Sequence, residues 1–289
     1  MLPGLRHREF CNFLAISGPC RCRQKGTDMS DTTSLRPKAA LGVGSIVGES
    51  FSILMRHFVK VMILAVIPTL MGYVLTGVFL GWSIVTGIPG PDMAGSSFGL
   101  RTAGSAIIQM VTSALATALL VQLAYDAKLQ RPLTLRRYLA PALRALLPVT
   151  VLSIVAAIIF VLGFLALVVP GLWVYAVFSV MPAAVVIEKV GYGGLGRSAA
   201  LTKEYRWPIL GALFLIGIVN YVIVIAAAFL SRVVFFSALD SGLLPGVALL
   251  AVLTSIGVAL GSITVALIYA RLREIKEGAS VADIVAVFD

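Results

Sequence analysis

Six stretches of this chain, at 61–85, 103–125, 149–169, 172–187, 209–230 and 244–270, contain no Asp, Glu, Lys, Arg or His. A helix of about 20 apolar residues crosses the ~30 Å hydrocarbon core of a bilayer and satisfies every backbone group within itself. The whole chain agrees with this reading: 59% of its residues are apolar and 12% charged, where a soluble domain carries about 25% charge. So few charges cannot clothe a surface in water, whereas lipid accepts it. The predicted fold is all-α, a polytopic membrane bundle of about six transmembrane helices. Only the stretch at 172–187 is short, its residues rising about 24 Å as a helix.

The basic residues bear on that short stretch. They cluster before the first span (Arg56, Lys60), between the second and third (Lys128, Arg131, Arg136, Arg137, Arg144), between the fourth and fifth (Lys189, Arg197, Lys203, Arg206) and after the sixth (Arg271, Arg273, Lys276). With the N-terminal residues counted, 21 of the 23 Lys and Arg fall on one side, and only Arg101 and Arg232 on the other. Six spans with both termini in the cytoplasm reproduce the positive-inside rule. If 172–187 did not cross, the later loops would change sides and the pattern would break.

Residues 1–39 read as a disordered basic tail. The apolar run from Phe10 is interrupted by Asn12 and followed by Arg21, Arg23 and Lys25, which is unlike a signal peptide. Met29 is a candidate true start, since Ser30-Asp31-Thr32 is an ordinary polar beginning. Cys11, Cys20 and Cys22 have neither disulfide nor zinc spacing. Residues 40–289 form the membrane domain.

Apolar residues recur at helical spacing before three of the spans: Val47, Phe51, Leu54, Met55 and Phe58; then Leu135, Tyr138, Leu139, Ala142, Leu143 and Leu146, with Thr134 as cap; then a weaker segment at 195–205. A fourth amphipathic helix is expected at 280–288, with Ser280 as its cap. Helices of this kind lie in the headgroup layer or pack beneath the bundle. The order amphipathic helix, span, span occurs three times, which predicts three hairpins of like orientation.

Inside the spans the polar residues are mild. Thr254, Gly257, Gly261 and Thr264 share one side of the last span, and small residues there allow close helix packing. Gln109 and Asn220 each need a partner or a polar cavity. Pro68 predicts either a kink or a small-residue contact with a neighbouring helix, assisted by Gly72 and Gly77. The chain contains no nucleophile elbow, no His-Glu-x-x-His and no P-loop, and it has two His in all. Gly191, Gly193, Gly194 and Gly196 precede a helix, where a phosphate could dock, but no strand leads into them and a flexible loop is the simpler reading.

The most distinctive stretch runs Pro170-Gly171-Leu172-Trp173, Met181-Pro182-Ala183-Ala184, Glu188, then Gly193 through Lys203 with Arg197-Ser198-Ala199-Ala200-Leu201-Thr202, ending at Arg206-Trp207. It resembles a bacterial multi-span family that includes the YciC-like proteins and the membrane domain attached to some glycerophosphoryl diester phosphodiesterases. Leu272 to Gly278 and the closing Phe288-Asp289 look similar to that family too. Glu204 stands where the family often has Gly. The resemblance spans residues 40–289 and implies an inner-membrane, multi-pass location; the catalytic domain of the phosphodiesterases has no counterpart here.

From these residues the expected function is non-enzymatic: a membrane protein that organises lipid or partner proteins at the cytoplasmic face, with anionic headgroups, and not nucleic acid, as partners of the +10 charge. Candidate lipid- or partner-binding residues are Glu188, Arg197, Ser198, Thr202, Arg206, Trp207, Arg136 and Arg137; Glu188 and Arg197, nine residues apart at the membrane edge, could instead pair and fix the loop between the fourth and fifth spans. Pro170, Gly171, Gly257 and Gly261 are candidate packing residues, and no metal or cofactor is expected. Two alternatives stay open. A transporter or lipid permease requires a cavity lined by Gln109, Thr112, Thr117 and Asn220. A membrane-embedded lipid enzyme requires Asp126, Glu188 and Glu274 to converge.

Overall fold

The computed structural model describes residues 41–87, 90, 98–133, 135–237 and 244–278, all within one compact unit. The predicted tail with its cysteines, the Thr134 cap, the Arg136 side chain and the helix at 280–288 lie outside the described residues.

The helices are α1 (Val43–Arg56), α2 (Phe58–Leu80), α3 (Trp82–Thr86), α4 (Phe98–Lys128), α5 (Leu135–Ala166), α6 (Val168–Phe178), α7 (Met181–Glu188), α8 (Gly194–Thr202), α9 (Arg206–Ser237) and α10 (Leu244–Glu277). No strand occurs among the described residues. Six segments are long and apolar enough to cross a bilayer: Phe58–Leu80, Phe98–Lys128, Arg137–Ala166, Val168–Glu188, Arg206–Phe235 and Pro245–Glu277. The outer surface suits this, because Ile158, Leu162, Leu165, Phe214, Tyr221 and Phe229 are exposed. An apolar surface of that extent belongs in lipid.

Helix α10 is the central post. Its apolar window is 61% buried, against 11% for the span in α5 and 17% for that in α9, and it packs on α1, α2, α4, α7, α8 and α9. Short polar links fix it: Tyr73 donates to Thr254 (3.3 Å), Ser262 to Thr117 (3.4 Å) and Thr264 to the buried Ser50 of α1 (3.0 Å). Asn220 of α9 donates to the Gly257 carbonyl at 3.2 Å. A Cβ on Gly257 would lie 2.5 Å from Asn220 Oδ1, so this glycine is required for the contact. Gly261 has nothing within 4 Å of its Cβ direction, so the expectation that both glycines pack is corrected to one.

The turn between the third and fourth spans is also displaced. It sits at the extended Leu167 (φ −165, ψ 146), not at Pro170-Gly171. Pro170 lies in the first turn of α6, where its missing N–H costs nothing. Gly171 is helical and presses on α5, where a Cβ would come within 2.8 Å of Phe164 Cα. The fourth span thus begins earlier than expected. Joining α6 and α7 across a break at Ser179-Val180 gives 21 residues, about 31 Å of helix, and removes the shortfall.

Other expectations shift for steric reasons. The first span ends at Leu80, and Gly81 adopts φ 115 to release α3. Of the two readings for Pro68 and its glycines, Gly72 and Gly77 serve contacts: Gly72 admits Thr112, and Gly77 admits the Trp82 ring. The glycines after Val190 form a 3-10 turn (Gly191–Gly193) running into α8, not a loose loop. Gly194 lets that helix close on Val185, 2.4 Å from where a Cβ would be. The segment at 135–146 is not a separate helix but the start of α5, which continues through Pro141 and Pro148. In α1 the buried face is Ile46, Ser50, Ile53 and Leu54, while Phe51 and Met55, and Phe58 at the start of α2, are exposed.

Candidate functional site

The last turn of α10 carries charges at a helical spacing that aims them at α7, α8 and α4. Glu188, closing α7, accepts two bonds from Arg197 of α8, Nε to Oε2 at 2.7 Å and Nη2 to Oε1 at 2.8 Å. Tyr269 of α10 donates to the same carboxylate at 2.5 Å. Arg197 also donates to Glu277. Glu277 accepts from Arg273 at 2.8 Å, and Arg273 reaches the Tyr125 hydroxyl of α4 at 3.4 Å. Lys276 donates to the Ala200 carbonyl (2.7 Å) and Lys128 pairs with Glu49 (2.5 Å). Five helices are thereby tied at one end of the bundle. The Glu188 carboxylate beside Arg197 holds that guanidinium above its ordinary range, so it stays charged at any attainable pH.

The Glu188 side chain is 14% exposed and that of Arg197 32%. All the acceptor and donor directions named are used within the protein, which is the geometry of a clamp. Ser198 and Thr202 fall into the same structural class. Both are fully buried, and both donate to the Val177 carbonyl, at 2.6 and 3.4 Å. That carbonyl sits beside the break between α6 and α7, where a helix leaves carbonyls without intrahelical partners. Their hydroxyls cannot meet a headgroup, which corrects their expected role. The turn leading on to α9 passes through Glu204 at φ 77, a left-handed conformation that glycine adopts more cheaply.

Arg206 and Trp207 are placed differently. The Arg206 guanidinium lies 5.0 Å over the Trp173 ring, and Trp173 meets Trp207 edge-on with centroids 5.9 Å apart. Trp207 is largely exposed. Arg206 Nε is shut off from solvent and makes no hydrogen bond.

A second feature is a cleft of about 260 Å³ between α4, α5 and α7, lined by Gln122, Tyr125, Asp126, Arg131, Arg137, Tyr138 and Lys189 among others. It shares Pro141, Val186 and Lys189 with a neighbouring cleft that adds Arg144. Arg131, Arg137, Arg144 and Lys189 are exposed there, with Asp126 as the one carboxylate in the two linings. The hydroxyl of the buried Tyr138 is shut off from solvent, with the Asp126 carboxylate as its charged neighbour. Gln122, an amide the sequence reading passed over, donates to Ala118 and Tyr138 carbonyls at 2.9 and 3.3 Å and supports this wall. Its place four residues from Ala118 and beside Asp126 was the available signal.

The residues named for an enzyme or a permease each have surroundings of their own. Glu274 pairs with Arg271, Glu188 with Arg197, and Asp126 lines the basic cleft. Among the described residues no group of three or more His, Cys, Asp or Glu could hold a metal ion. Thr112 is buried against Gly72, Thr117 accepts from Ser262, and Asn220 is bound to Gly257. Comparison of the chain with protein-family models, curated proteins and solved structures finds no match.

Proposed function

We propose that this chain is a non-enzymatic, multi-pass protein of the bacterial inner membrane that gathers anionic lipid at its cytoplasmic face. In this reading the termini are cytoplasmic, and the six spans form three hairpins of the YciC-like kind, each led by an amphipathic segment. The pairs α2 with α4, α5 with α6 and α9 with α10 are closely packed, which supports the hairpins. The observation that carries the function is the basic cleft. The carboxylates around the end of α10 are committed to the clamp, whereas Arg131, Arg137, Arg144 and Lys189 face an open cleft with a single opposing Asp126. Cations near a bilayer surface attract anionic headgroups by about 1 kcal/mol each, within a Debye length.

The test is binding of the purified protein to nanodiscs or micelles doped with phosphatidylglycerol or with phosphatidylcholine. Preference for phosphatidylglycerol should weaken with salt and drop in the R131Q/R137Q/R144Q/K189Q variant. Equal binding of both lipids by the wild type would overturn the proposal.

A further inference from the structure

Arg206 poses a physical problem that the clamp and the cleft leave unanswered. Its Nε is shut off from water and makes no hydrogen bond, while the residue as a whole is half-buried, and a buried donor left without an acceptor is costly. No ion pair to Arg206 occurs among the described residues. The face of Trp173 supplies an attraction, but a ring is a weaker partner than a phosphate.

The surroundings indicate the missing anion. Arg206, Leu210, Leu213, Gly217 and Tyr221 follow one another at helical spacing along a single face of α9. The last four line an apolar groove of about 380 Å³ whose other wall is Leu172 and Tyr175 of α6. Beyond Leu210 the next residue on that face is Arg206, and beside Leu172 stands Trp173; these two touch. The basic group therefore stands one helical turn beyond Leu210, just past that end of the groove. A second apolar cleft, about 330 Å³, lies across Tyr175 and Leu213 and is lined by Phe160, Val174, Met181 and Val265 among others. From Arg206 to Gly217 the helix rises about 16 Å, half of a ~30 Å hydrocarbon core. The Trp207 ring beside the cation suits the headgroup level, where tryptophan concentrates.

We infer that the α6–α9 face holds one phospholipid as a fixed ligand, its phosphate on Arg206 and its two chains in the apolar clefts on either side of Tyr175 and Leu213. The site rests on the reading of the chain as a membrane protein but not on the basic cleft, with which its two apolar clefts share no lining residue. It requires both parts of the lipid: the phosphate neutralises the guanidinium, and the chains fill grooves too apolar to hold water.

Native mass spectrometry of the full chain in mild detergent, with dioleoyl phosphatidylglycerol as the probe, tests the inference. Wild type should hold one lipid through delipidation, and R206Q should hold it about tenfold more weakly, the factor for one lost charge-assisted contact. R206Q changes a residue at a helix start and could weaken folding, so G217F is the second variant. Gly217 lines the groove and has nothing within 4 Å of its Cβ direction, so a side chain can start there and its phenyl ring should displace the lipid with Arg206 intact. Retention of the lipid by G217F or by a folded R206Q, or equal binding of glycerol phosphate without chains, would overturn the inference. The R131Q/R137Q/R144Q/K189Q variant should keep this lipid while losing vesicle preference; loss of both together in that variant would overturn the separation of the two sites.

Discussion

Replacing Glu188 by Gln tests the clamp directly. The carboxylate accepts two bonds from Arg197 and one from Tyr269. Glutamine keeps the shape but turns one acceptor into a donor that faces the guanidinium. Hydrogen bonds to charged groups contribute about 1.5–3 kcal/mol each, and they do not add within a network. Arg197 is about a third exposed and retains Glu277, so solvent and the second carboxylate absorb part of the loss. The expected cost is about 2–3 kcal/mol. At about 2 °C per kcal/mol for a chain of this size, Tm should fall by about 5 °C. Fluorescence of Trp82, Trp173 and Trp207 during heating in detergent reads it out. R197Q should cost more, because it strips both hydrogen bonds of a guanidinium from Glu188, which keeps only Tyr269, and leaves Glu277 with Arg273 alone. The double variant should recover at least about 1 kcal/mol relative to the sum of the singles, as residues in one network do. A shift under about 1 °C for E188Q, or strictly additive losses, would refute the clamp.

Three further outcomes follow from the packing and the charge pattern. S198A should lower stability by about 1–2 kcal/mol because the Val177 carbonyl loses its 2.6 Å donor, and T202V should cost less since its bond to that carbonyl is 3.4 Å; chemical denaturation in detergent compares them, and equal effects would contradict the assignment. G257A should cost about 1–3 kcal/mol by pushing Asn220 away, whereas G261A should be neutral or stabilising by up to about 1 kcal/mol; the same assay separates them, and a reversed order would count against the described α9–α10 contact. With Cys11, Cys20 and Cys22 changed to Ser, an impermeant maleimide added outside intact cells should label R101C and spare K203C; the opposite pattern would overturn the proposed sidedness.

How far the chain could be read in advance depended on which physical term set each feature. The six spans were legible because the cost of burying charge in lipid acts on every residue of a stretch, so the signal sums. Boundaries were not, because Leu167 and Gly81 end helices through backbone conformation, and one extended or one left-handed residue leaves no periodic trace. In α1 two apolar faces compete, one for α10 and one for lipid. A helical wheel finds apolar residues without saying which solvent they meet, so the buried set became Ile46, Ser50 and Ile53 rather than Phe51 and Met55. The pairing of Glu188 with Arg197 was readable from nine residues of separation across a short turn. Its partners Tyr269, Arg273 and Glu277 were not, since they arrive about eighty residues later and only tertiary packing brings them in. The motif Arg197-Ser198-x-x-Leu201-Thr202 looked like a binding signature because it is polar and close to the membrane edge. Its hydroxyls instead satisfy a carbonyl at the α6–α7 break, a need that exists only once that break has formed. Arg206 is the reverse case: one turn of α9 places it just past the end of an apolar groove with no acidic partner among the described residues, so the inference of a lipid ligand starts from the Nε that packing leaves without an acceptor and not from the charge density of the sequence.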